Sequence, residues 1–136
     1  MTATQTTTTV DLVKGLYAAF GSGDIAFILQ SLTPDCQWIS SGVGVPNAGR
    51  YTGPAGAAQF FQRLAATEEV TKFEPREYFT NEAGDVVAHG YEECRMPATG
   101  KTAATSWMMV FRFDGDKVKY FETFYDTSAY AEAHRA

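Results

Sequence analysis

The sequence predicts an α+β fold, with three N-terminal helices packed in the concave face of a strongly curved, mostly antiparallel sheet. Two observations lead there. Helix-periodic stretches gather in the first half of the chain and strand-like runs in the second, which is the order of an α+β layer architecture. The stretch Thr102 to Asp126, TAATSWMMVFRFDGDKVKYFETFYD, holds two aromatic and β-branched runs around Asp114-Gly115-Asp116. Asp-Gly between such runs marks a tight hairpin, and strands this long twist and coil around whatever they cover. A coiled sheet over helices leaves a cone with an open mouth, and with it a mostly apolar pocket.

The elements follow in order. Residues 1 to 8 are threonine-rich and read as a flexible tail, with residues 9 to 136 as one domain. Thr8 or Thr9 can cap a helix whose Val10, Val13, Leu16, Tyr17 and Phe20 repeat at helical spacing. Gly21 to Asp24 ends it, and a short helix through Ile25, Ile28, Leu29 and Leu32 follows. Cys36 to Ser40 reads as a brief strand and Ser41 to Gly53 as a glycine-rich loop. Pro54 suits the first turn of a helix over Ala55 to Thr67, with Ala58, Phe61, Leu64 and Ala65 on one side and Phe60 beside them. Val70 to Thr80 reads as a strand near an edge, because Pro75 cannot donate to a ladder. Asn81 to Asp85 turns it into a strand over Val86 to Met96. The last hairpin and a short helical tail, Ser128 to Ala136, complete the chain.

Composition bounds the function. The chain has 136 residues, 45% of them apolar, and carries a net charge of −5 without a Lys/Arg cluster. That balance argues against nucleic-acid and anionic-membrane partners. Cys36 and Cys94 are far apart and outside any CxxC pairing, which fits a reducing compartment. The N-terminal MTATQTTTT lacks the basic and apolar regions of a secretory leader. The expectation is a cytoplasmic protein. Aromatic residues reach 14%, more than a plain core of this size needs, so part of them can line a cavity.

Several pieces together resemble a known family: Leu16-Tyr17-Ala18-Ala19-Phe20 before Gly23-Asp24, Trp38 after Asp35, Gly49-Arg50-Tyr51-Thr52-Gly53 before Phe60-Phe61, Phe111 to Val118, and Phe124-Tyr125-Asp126-Thr127. In order and spacing they are similar to the SnoaL-like, ketosteroid-isomerase-like branch of the nuclear-transport-factor-2-like superfamily. The resemblance implies a conical fold that often dimerises through the outer face of its sheet. It leaves the activity open, since relatives include isomerases, polyketide cyclases, epoxide hydrolases and non-catalytic binders. Aligned with ketosteroid isomerases, the base position falls at Ser40, the second acid at Met109 and the tyrosine at Leu16, beside Tyr17. Serine alone is a poor base and methionine has no proton to donate, so ketosteroid isomerisation is disfavoured unless the base sits at Asp35 instead. The epoxide-hydrolase set of an Arg between two carboxylates has no place on the inner faces, where the last strand offers only Thr123.

Strand parity selects the candidate acid. Over Val86 to Met96 the even positions are apolar except Glu92, so that face is the interior. A carboxyl among apolar neighbours is raised toward the range useful for general acid–base work. The competing reading is a solvated or Arg-paired carboxylate at the cone's mouth. His89, of opposite parity, belongs to the outer face unless a bulge reverses the alternation. Trp38, Trp107 and Tyr125 offer broad apolar area with a polar handle, with Ser40, Met109, Phe121 and Thr123 beside them as pocket candidates. Tyr17 fits ordinary core packing as well as pocket lining. There is no dinucleotide fingerprint, nucleophile elbow or metal-spaced Cys/His cluster, so no cofactor and no metal are expected. Two readings remain: a cofactor-independent isomerase, cyclase or hydratase/hydrolase acting on a small apolar substrate through Glu92, or a non-catalytic binder of a small hydrophobic ligand. A homodimer is expected from apolar residues on both faces of the last strands, Met108 and Val110 opposite Trp107 and Met109.

Overall fold

A computed structural model describes residues 7–136. The elements are α1 (Thr9–Ser22), α2 (Ile25–Gln30), β1 (Leu32–Ser40), β2 (Gly49–Thr52), α3 (Gly53–Thr67), β3 (Glu69–Thr80), β4 (Val86–Arg95), β5 (Thr102–Asp114), β6 (Lys117–Tyr125) and α4 (Thr127–His134). The strands form one six-stranded sheet in the order β2-β1-β6-β5-β4-β3. Pairing is antiparallel except between β1 and β6, which run parallel. The expected α+β architecture, with the first three helices inside a curved sheet, is the one observed.

Local chemistry explains the boundaries. Thr8 caps α1 through a reciprocal capping box: its hydroxyl accepts from the Asp11 N–H while the Asp11 carboxylate accepts from the Thr8 N–H. Most of the expected threonine-rich tail, residues 1–6, lies outside the described residues. Gly23 closes α1 and Asp24 caps α2 through the Phe27 N–H. Gly53 opens α3 at φ +69°, and a Cβ there would stand 2.5 Å from the Pro34 carbonyl oxygen. Only glycine combines that dihedral with so close a backbone approach. β5 and β6 turn at Gly115, pairing Asp114 with Lys117 as the hairpin signal predicts.

Three expectations are corrected. The loop expected over Ser41 to Gly53 ends in a strand, β2, paired with β1. β1 starts at Leu32, which was expected to close the second helix. Its ladder is irregular between Leu32 and Gln37, around Pro34, which has no N–H to give. Inside α3 the buried residues are Gly53, Ala57 and Phe60, with Phe61 and Leu64 half-buried, whereas Ala65 is exposed. The C-terminal helix forms as expected and docks on the sheet. Its Tyr130 and Ala133 are buried with Val45, Cys94, Met96 and Ala103 in a second core. Thr99 and Lys101, in the turn before β5, donate to the Ala133 and Arg135 carbonyls and hold its end.

The main core lies between helices and sheet, around Val13, Leu16, Trp38, Trp107, Phe111 and Phe121. β3 is an edge strand with a register shift beside Pro75. No described helix is long and apolar enough to cross a membrane.

Candidate functional site

A cavity of about 100 Å³ remains between the helices and the concave face of the sheet. Helix periodicity brings Leu16, Tyr17 and Phe20 of α1 and Phe60, Phe61 and Leu64 of α3 to its walls. Strand alternation supplies the rest, because alternate residues of β1, β4, β5 and β6 face inward. Trp38 stacks on Phe121 at 3.9 Å between ring centroids, forming one flat wall. The Tyr17 hydroxyl donates to Met109 Sδ at 3.3 Å, and burial holds that phenol well above its usual range.

Apart from Trp107, every pocket candidate read from the sequence borders this cavity: Tyr17, Trp38, Ser40, Met109 and Phe121, together with Thr123 and Tyr125. Trp107 faces inward as its parity requires, yet it is covered. Its indole stacks on Phe73 of β3 at 5.0 Å and lies over Gly90, where a Cβ would come within 2.3 Å of the ring. It therefore belongs to the packed core behind the cavity wall. His89 is on the outer face, its Nδ1 3.0 Å from Glu77 Oε2. Asp35 is exposed, which removes the alternative position for an isomerase base.

Glu92 borders the cavity as well. Burial raises its carboxyl above the usual carboxylate range, and the charge of Glu68 adds to the effect; the bond that Oε2 accepts from the Cys94 thiol opposes it. That thiol is 3.0 Å away and receives in turn the Tyr130 hydroxyl proton at 3.4 Å. Burial also raises both Cys94 and Tyr130, so each keeps its proton and the relay runs from Tyr130 through Cys94 to Glu92. Tyr125 is held protonated by the same cause, with the Ser40 hydroxyl opposing.

Beside Glu92 stands a second acid that parity arguments missed. Glu68 is the residue between α3 and β3, and its side chain is only 3% exposed. Its Oε2 accepts from Asn47 Nδ2 at 3.0 Å and meets His134 Nε2 at 2.8 Å. Asn47 is itself seated, since its carbonyl accepts from the Tyr51 hydroxyl, which Arg63 bonds in turn. Glu68, Asn47 and Tyr130 border the cavity. For Glu68 and Tyr130 only a spacing was visible in the sequence, and for Glu68 it runs past the last turn of α3, where a strand begins. Phe61, Leu64 and Glu68 follow i, i+3, i+7 spacing, and Tyr130 and His134 stand at i, i+4. Among the described residues no group of three or more His, Cys, Asp or Glu could hold a metal ion.

A helix layer within a coiled sheet, with an aromatic cavity bordered by Glu68 and Glu92, is the nuclear-transport-factor-2-like (NTF2-like) fold. Residues 13–121 match the SnoaL-like domain, and the chain belongs to that family. An NTF2-like protein from Burkholderia xenovorans is 28% identical over 98% of this chain and 100% of its own, with a TM-score of 0.85. One from Burkholderia thailandensis is 26% identical over 95% and 98%, also at 0.85. TerC, in a structure co-crystallised with polyporic acid, shares the fold at 23% identity over 94% and 98%, with a TM-score of 0.79. No curated protein matches.

Proposed function

We propose that this protein takes a small, mostly apolar molecule into the cavity and moves a proton there, as a cofactor-independent isomerase, cyclase or hydratase in which Glu92 is the acid–base group. The observation that carries the reading is a half-buried carboxyl at the wall of an otherwise mostly aromatic cavity, raised by the loss of water around it. A carboxyl whose pKa is raised in this way holds its proton to higher pH and, when protonated, donates to a ligand oxygen, the role of a general acid. Trp38 and Phe121 offer a flat apolar surface on which an unsaturated or ring-shaped ligand stacks. As the side chains stand, a cavity of this size has room for roughly one small ring.

The test begins with mass spectrometry of small molecules that copurify with the protein, followed by turnover assays on the compound found. Glu92→Gln is expected to keep the ligand and lose about 100-fold or more in turnover. Undiminished turnover in that variant removes Glu92 from the chemistry. Ligand retained by the wild type without conversion supports the binding-protein reading of the same cavity. We also propose that the protein assembles as a homodimer through the outer face of the sheet.

A further inference from the structure

We infer that Glu68, seated by Asn47 and His134, is a second proton-accepting group of this cavity: a bound molecule presents an O–H or acidified C–H to Glu68 and an acceptor oxygen to Glu92. The inference rests on the proposed function and extends it from one acid to two that border the same cavity. Neither Glu68 nor its partners has a role in the sequence-based reading, and none of the ketosteroid-isomerase positions aligned above falls on them.

The geometry is that of a built site. Glu68 is buried almost completely, at the junction of two rigid elements. Both of its bonds, from Asn47 and His134, fall on Oε2. Among the described residues Oε1 has no partner, and it is not among the sealed buried polar atoms that lack one. An unpartnered carboxylate oxygen on a residue that borders the cavity is an acceptor for whatever enters. His134 reaches it from α4 and Asn47 from the loop before β2, so two segments distant in sequence fix one side chain. Gly42 and Gly44 of that loop pack against Thr127 and Ala131 of α4, where a Cβ would already be 3.2–3.3 Å from its neighbour. Loop and helix therefore position Glu68 together.

The proton balance is simple. The ligand's O–H or C–H bond breaks, its electron pair stays on the ligand, and the proton goes to Oε1. The Glu92 proton moves to the oxygen where that charge collects, giving a tautomer of the ligand. Solvent exchange then resets both carboxyls.

The matched probes 4-nitrophenol and 4-nitroanisole test the assignment, since only the first has an O–H. Equilibrium dialysis of the wild type should show the phenol bound at least about tenfold more tightly, the size of a hydrogen bond to a charged acceptor. In Glu68→Gln the Asn47 N–H claims the amide oxygen and turns the NH₂ group toward the ligand, so an acceptor becomes a donor. The preference should collapse to about twofold or less, and His134→Asn should narrow it part of the way. A wild-type preference that survives Glu68→Gln overturns the assignment, as does a wild type without preference. Should Glu68→Gln fail to fold, the His134→Asn ratio decides, and an unchanged ratio overturns the assignment. Absence of binding of either probe to the wild type overturns the cavity reading, and this inference with it.

Discussion

Glu92 has a higher pKa in the folded protein than in the unfolded chain, because the fold strips its carboxyl of water and sets it near Glu68. Folding therefore prefers the neutral form. The stability this gives is fully present below the unfolded value of 4.5 and is lost as pH rises through the higher folded value. Glu92→Gln removes the titration. Its melting temperature should match the wild type near about pH 4 and exceed it increasingly toward about pH 8. A difference that stays flat over that range would contradict a half-buried, titrating Glu92. The same residue shows what the sequence could reveal. Period-two alternation in Val86 to Met96 put one acid on the apolar face, and the fold keeps that alternation. Glu68 escaped because it follows a helix and precedes a strand, where neither period applies by itself, and Glu69 beside it is an ordinary exposed acid. Trp107 escaped for another reason. Parity tells which face a side chain takes, and says nothing of Phe73 arriving from another strand to cover it.

At the scale of elements, those with a local cause were legible. The α1 stripe, the Gly23–Asp24 break, Pro54 at the start of α3 and the Asp114–Gly115 turn each rest on chemistry within a few residues. β2 was not, because its four residues, Gly49–Thr52, exist as a strand only through their pairing with β1. The parallel partnership of β1 and β6 joins Trp38 to Phe121, far apart along the chain, and no nearby pattern encodes it. α1 gives a test of the local kind. Thr8→Ala deletes the hydroxyl that receives the Asp11 N–H, and the Asp11 carboxylate loses the geometry of its return bond. Urea denaturation should show a loss of about 1 kcal/mol, the ordinary worth of an N-cap, with the m-value unchanged. An unaltered midpoint would mean that packing of Val13, Leu16 and Ala19 alone fixes the start of the helix. Ligand binding should not change, since Thr8 does not border the cavity.

The whole molecule has two faces of unequal character. Its concave face is closed by helices, whereas the convex face is open and carries apolar side chains in lateral rows. The β ladders align Phe79 with Val87 and Val110 in one row, and His89 with Met108 and Phe124 in the next. Phe79, Met108 and Phe124 are 52%, 42% and 51% exposed, which is unusual for side chains of that size clustered together. A two-fold axis through such a patch lays each copy's rows on the other's, so one surface serves both partners. Of the polar groups on these rows, Glu77 and His89 pair with each other at the β3–β4 end, and Glu122 stands between Val110 and Ile39. A central apolar zone with polar margins is the usual anatomy of an association surface. Light scattering at micromolar concentration should therefore give twice the 14.9 kDa of one chain. Replacing Phe124 with Asp sets a charge next to Met108 on the patch and should yield monomers. Because Phe124 points away from the cavity, that monomer should still bind the ligand, with affinity within about threefold of the wild type if the cavity is complete in one chain. A wild type that stays monomeric at these concentrations, or a Phe124→Asp variant that stays dimeric, would rule out this face as the contact.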